Sequence, residues 1–327
     1  MKKILTIITV FSTLFLITVT GLFHNEPGHA QGTKPTPLIL PGADFSAMHN
    51  AGTSIVSEVI NPMTIKLEDG RTITLSGLDY PDLDFYNPGE LAITAQKVLE
   101  DFLKGKHVTI YQTPQADQGR INRMGHHIAH LSRHERNTLK GNADNSNVKN
   151  KDTWVQGLIL SLGLARVRTT KYNREMAAQL LQLEQQARTD KSGLWAMEKY
   201  APLTPEQAKN HIGRYQIIEG QVQNIGMHKN KIYINFGNNW RDDFTLGISG
   251  TNARTFRREN INPLNWNNAR LRVRGWIESY NGPYIEIDHP ERIEILSPIK
   301  KEKDTPTPSK TDKSFTKDGS SLPAYNK

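Results

Sequence analysis

The stretch TIKLEDGRTITLSGLDYPD, residues 64–82, decides how this chain folds. Residues 64–67 and 72–78 have the composition of strands, and Asp69-Gly70 between them is the turn of a tight hairpin, because glycine adopts the required positive φ freely. Upstream, residues 55–59 read as another strand joined through Asn61-Pro62, which makes a three-stranded meander. Downstream, Gly89-Glu90 opens a segment whose apolar residues Leu91, Ala95, Val98, Leu99, Phe102 and Leu103 recur at helical spacing until Gly105. Residues 107–111 and 128–131 follow as two more strands around a polar loop. Residues 133–152 are too hydrophilic for a core and read as an insertion. Two helices close the unit. One carries Trp154, Leu158, Ile159, Leu162 and Leu164; the other, residues 173–189, carries Met176, Leu180, Leu183, Glu184 and Ala187.

Residues 31–52 are rich in Pro, Gly and small polar residues and read as a tether. The first domain therefore spans 53–200. A linker over 201–212 leads to a strand-rich region with runs at 215–225, 231–236, 244–248, 270–278, 284–288 and 292–296, a small β-barrel over 213–296. Residues 297–327, dominated by Lys, Pro, Ser, Thr and Asp, read as a disordered basic tail.

A chain of 327 residues with 36% hydrophobic and 23% charged content has the composition of ordered domains. It contains no cysteine, which excludes disulfides, thiolate catalysis, thiolate metal sites and a lipoprotein anchor. Lys2 and Lys3 precede an apolar run over 4–23, and Gly28-His29-Ala30 offers small residues where a signal peptidase cuts, so residues 1–30 are expected to be an export signal. The destination is then periplasmic or extracellular. The alternative is that residues 4–23 stay as a membrane anchor, although six Ser and Thr residues dilute that run. The formal charge of +8 points toward polyanions, but the lysine-rich tail carries much of the excess.

Three strands, a helix, two strands and two helices give an α+β fold, an oligonucleotide-binding (OB) barrel with helical additions. Thr64-Ile65, Asp69-Gly70-Arg71, Leu75, Gly77, Leu78, Asp79 and Pro81, with Gly89-Glu90 and Ala92, resemble the staphylococcal nuclease family. Residues 157–167 resemble its "LV..GLA.V" helix, and Glu184, Ala187, Arg188, Gly193, Leu194 and Trp195 its closing "E..AR....GLW". The resemblance implies phosphodiester cleavage by a carboxylate-held calcium ion, a carboxylate base and two arginines that neutralise the transition state.

Asp79 matches one calcium carboxylate of that pattern and is the candidate metal ligand, for Ca²⁺, should the site hold an ion. Met63 stands in place of the other, Thr74 replaces the first arginine, and Asp82 replaces the general-base Glu. The second arginine falls on Arg120 or on His126, according to whether Gln118-Gly119-Arg120 or Met124-Gly125-His126 aligns with the family's Tyr-Gly-Arg; the latter leads directly into the strand and is preferred. A thioether suits a hard cation poorly, and losing one positioned charge at the transition state costs about 10² or more in rate. The implied protein is a catalytically impaired module that binds nucleic acid or another polyanion without a cofactor. One alternative is a weak Ca²⁺-dependent phosphodiesterase using Asp79, Asp82 and Arg120. Another is an envelope scaffold that binds a protein partner.

The second domain resembles a barrel that accompanies degenerate nuclease-like domains in exported bacterial proteins, through Ile232-Tyr233-Ile234-Asn235-Phe236-Gly237 with Trp240, Val273-Arg274-Gly275-Trp276 and His289-Pro290-Glu291. Alternation places Arg272, Arg274 and Trp276 on one strand face and sets Tyr233 and Asn235 apart from their apolar neighbours, so these five residues are candidates for an outer nucleic-acid-binding surface. The competing expectation is that this face packs against the first domain. His126, His127, His130 and His134 are expected to be exposed strand histidines rather than a metal site, and Arg166 and Arg168 to be solvated charges near a helix end.

Overall fold

The computed structural model describes residues 43–134, 152–239 and 242–297. The expected export signal, most of the expected insertion, Trp240 and the basic tail beyond Ser297 lie outside the described residues.

The first domain is a closed barrel. Strand β1 (His49–Asn61) pairs antiparallel with β2 (Thr64–Leu67), and β2 with β3 (Thr72–Leu75). Helix α1 (Glu90–Leu103) leads to β5 (His107–Gln112) and β6 (His127–Arg133). The 13-residue β1 serves both sides of the barrel, pairing with β5 at one end and β2 at the other. Its register shifts at three points, and such bulges let one strand turn a barrel corner. Closure comes from β3 running parallel to β6, with Ile73 opposite His127 and Leu75 opposite Ala129. Every apolar residue that marked α1 in the sequence is buried in the core.

Among the first barrel's strands, two boundaries differ from the sequence expectation. The supposed tether already belongs to the domain from residue 43: Phe45 stacks on Tyr111 at 4.0 Å, and β1 begins at His49, opposite Gln112. Residues 72–78 do not form one strand. Gly77, at φ +83, breaks the run, so β4 (Gly77–Asp79) leaves the barrel and pairs antiparallel with β8 (Arg166–Arg168).

The helical closure explains the motifs read from sequence. After β7 (Thr153–Trp154) come α2 (Val155–Ser161) and α3 (Ala177–Thr189), the latter starting four residues later than expected. Gly163 and Gly193 touch back to back, both at positive φ, and a Cβ on either would sit 2.1–2.3 Å from the other segment's backbone. Only glycine fits there. Glu184 on α3 is fully buried; its Oε1 accepts the Val167 N–H at 2.8 Å and its Oε2 accepts from Arg188 at 3.0 Å. The Arg188 guanidinium in turn lies 5.0 Å from the centre of the Trp195 ring.

The second domain repeats the first barrel's topology without a visible sequence repeat. Strands β9 (Tyr215–Gln221) and β10 (Asn224–His228) together act as its first strand, followed by β11 (Lys231–Asn235), β12 (Thr245–Ile248) and helix α4 (Gly250–Arg258). Next come β13 (Arg270–Trp276) continuing into β14 (Glu278–Ser279), then β15 (Pro283–Glu286), with β16 (Ile293–Ile295) added at the edge of β13. The ladder runs β9 to β13, β10 to β11, β11 to β12, β12 parallel to β15 and β15 to β14, the same closure as before. The supposed linker is part of this barrel: Ala208 is buried in its core, and Leu203 bridges Ile218. Strand β9 is the seam, sending Ile217 into the first core and Ile218 into the second. Among the described residues no helix is long and apolar enough to cross a membrane.

Candidate functional site

Asp79 ends β4 and is only 7% exposed. The ladder sets it opposite Arg166 on β8, and its Oδ2 accepts hydrogen bonds from Arg166 Nε at 3.0 Å and Nη2 at 2.7 Å. The same guanidinium donates to Gln216 Oε1 at 3.1 Å and to the Tyr215 carbonyl at 2.9 Å, both on β9 of the second barrel. Arg166 is therefore no solvated helix-end charge, as the sequence suggested. The segment is a strand, and alternation puts Arg166 and Arg168 on one face, where Arg166 is buried and Arg168 lies 5.4 Å from the Trp276 ring centre.

Asp82 does not stand free as a base. Its two carboxylate oxygens accept the N–H groups of Leu91 at 3.0 Å and Ala92 at 3.2 Å, which satisfies orphan donors at the start of α1. Gly89 is held against this carboxylate, where a Cβ would fall 2.3 Å from Oδ2. Asp84 caps its own loop, and the Tyr86 and Asn87 N–H groups hold its pKa below the usual carboxylate range.

The two arginine positions of the resemblance also come into view. His126 immediately precedes β6 and its Nδ1 lies 3.4 Å from Thr74 Oγ1, while Asn122 Nδ2 donates to that hydroxyl at 3.3 Å. Thr74 and His126 are thus neighbours, yet a hydroxyl and an imidazole do not reproduce the fixed planar charge of two guanidinium groups. Arg120 points elsewhere, with Nε donating to the Thr113 carbonyl and Nη2 to the Pro114 carbonyl, each at 2.9 Å. It secures the loop after β5.

A calcium ion takes six to eight hard oxygen ligands. Here Asp79 Oδ2 is committed to Arg166 through two hydrogen bonds, both Asp82 oxygens are committed to backbone N–H groups, and the Met63 side chain offers only sulfur. The residues present do not fit the ion.

The expected guanidinium surface on the second barrel is corrected by burial. Arg274 is fully buried, donating through Nη1 to the Val167 carbonyl at 3.1 Å and pairing through Nη2 with Glu184 at 2.9 Å and with Glu294. Its Nε has no partner. Desolvation opposes its charge, but Glu184 and Glu294 keep its pKa above the usual guanidinium value. Arg272, also buried, bonds Glu219 at 2.6 Å, Glu294 at 2.9 Å and Gln185 at 3.1 Å. This strand face seats on α3 of the first domain, because the buried Glu184 and its neighbours offer the acids these arginines require. Trp276 alone stays at the surface, 44% exposed. Tyr233 lies apart, beside Lys231 and Tyr280, and Asn235 Oδ1 accepts from Thr245 at 2.9 Å. The five candidates do not share one face.

The histidines separate as well. His130 is buried, not exposed; Trp154 Nε1 donates to its Nδ1 at 3.3 Å. His134 lies between Thr109 Oγ1 at 2.5 Å and Asp152 Oδ1 at 2.7 Å. Among the described residues no three His, Asp or Glu side chains gather as a metal-ligand set.

The architecture defines a pair of OB barrels, the first carrying the helical closure of a nuclease-type domain. The staphylococcal nuclease homologue family matches residues 72–197, and the first domain is accordingly a staphylococcal nuclease-like domain. The match begins at β3 and leaves the second barrel outside it. Among curated proteins none matches the chain.

Proposed function

We propose that this is an exported protein whose nuclease-like domain no longer cleaves phosphodiesters efficiently and which binds nucleic acid or a related polyanion. The observation that carries the reading is the commitment of Asp79 to Arg166 beneath the second barrel. An internal guanidinium neutralises the carboxylate that the resemblance assigns to a metal, and the missing charges at Thr74 and His126 weaken transition-state stabilisation further. Binding needs none of these groups. It is supported by the nucleic-acid-binding character of the family and by the excess of cations.

Single-stranded DNA retention by the purified chain, measured over a salt series with calcium or with chelator, tests the reading. Affinity is expected to fall about tenfold or more for a fourfold rise in salt, as released counterions require, and to be unchanged by chelator. Undetectable or salt-independent binding contradicts it.

A further inference from the structure

Between the two barrels lies a cleft of about 910 Å³ that the nuclease-type site does not use. One wall is the loop after β8, with Lys171, Tyr172 and Arg174; the other is α4, with Arg254, Arg257 and Arg258. Helix α4 is built for this placement. Ser249 caps it by accepting the Asn252 N–H at 3.3 Å, and Ala253 and Phe256 bury in the barrel, which leaves the three arginines exposed. Spacings of three and four residues put Arg254 beside Arg257 and Arg258, an arrangement that is repulsive without an anion.

Compensating acids are scarce. Among the described residues Asp288 is the only carboxylate lining the cleft, and it is occupied by His289 at 2.6 Å and Arg292 at 3.1 Å. Arg174 is neutralised by Glu291 and Glu259. Among the described residues Lys171, Arg254, Arg257 and Arg258 form no ion pair with a carboxylate. Both walls are fixed relative to each other, since buried Thr169 of the first domain bonds buried His289 of the second at 2.7 Å.

Resting on the binding reading above, we propose that this interdomain cleft is where the protein holds a polynucleotide, gripping the phosphate backbone with Lys171, Arg254, Arg257 and Arg258. Cations converging from two walls onto an open concave space match a flexible chain of phosphates. A space of this size suits a few nucleotides of a single strand.

The test compares the full chain with the variant Lys171→Glu/Arg254→Glu/Arg257→Glu and with Lys66→Glu/Lys97→Glu/Lys104→Glu, which makes the same charge change at exposed positions of the first barrel. Binding of a fluorescein-labelled single-stranded oligodeoxynucleotide is followed by anisotropy, and circular dichroism checks the fold. The cleft variant is expected to bind about 100-fold more weakly, with a log–log salt slope shallower by about 2, while the control stays within about threefold. Equal weakening of both variants overturns the cleft assignment and leaves the binding reading intact; absence of binding by the unaltered chain overturns both. Displacement by inorganic polyphosphate as effective as by unlabelled oligonucleotide overturns the assignment to a polynucleotide.

Discussion

Replacing Arg274 with alanine is expected to lower the unfolding free energy by about 3–5 kcal/mol, the range for breaking a buried ion pair from one side. The effect is large because two carboxylates lose their partner together. Glu184 is fully buried and retains Arg188 and the Val167 N–H, but Glu294 retains only Arg272. Guanidinium-induced unfolding measures the loss. Because Arg274 and Glu294 belong to the second barrel and Glu184 to the first, the variant is also expected to unfold its two barrels in separate transitions. Arg270→Ala provides the contrast. Its guanidinium is 63% exposed and 3.4 Å from Glu219, so less than about 1 kcal/mol is expected.

A second large effect concerns pH. Desolvation pushes the pKa of buried His130 down to about 3. The folded state keeps the imidazole neutral while the unfolded chain takes up a proton near pH 6.5, so the unfolded state binds more protons between those values and stability falls as pH falls. One proton gives about 1.4 kcal/mol per pH unit, or about 2–3 kcal/mol between pH 6.5 and 4.5. His127, also lowered by desolvation, adds a part of the same sign. His130→Gln can still accept from Trp154 Nε1 and does not titrate. Its unfolding free energy is expected to be flatter than the parent's over this window by about one proton; parallel curves would contradict the assignment.

How far this was legible in the sequence depends on what carried each feature. The first barrel was readable because β2, β3 and α1 bury strictly periodic apolar residues, and because Gly163, Gly193 and Glu184 sit where no other side chain fits or substitutes. Strand β1 before Ser54 was not, since His49-Asn50-Ala51-Gly52 is held by backbone pairing with β5 rather than by an apolar face. Helix α4 escaped because only Ala253 and Phe256 mark its buried side, too few to set a period. The arginines of β8 and β13 were misplaced for a common reason: local patterns assign charge to solvent, and only the tertiary fold shows that Asp79, Glu184 and Glu294 wait opposite them. Lys171 is far along the chain from Arg254, Arg257 and Arg258, so the cleft they line exists only once both barrels are assembled.

On the function proposed above, Asp79 serves the barrel seam through Arg166 and no longer holds a metal. A time course of polynucleotide cleavage by the clean full chain, in excess calcium and in excess chelator, tests it most directly. Substrate that stays intact and equally bound in both is the expected result; fast digestion in calcium that stops in chelator and is abolished by Asp79→Ala would overturn that reading of Asp79.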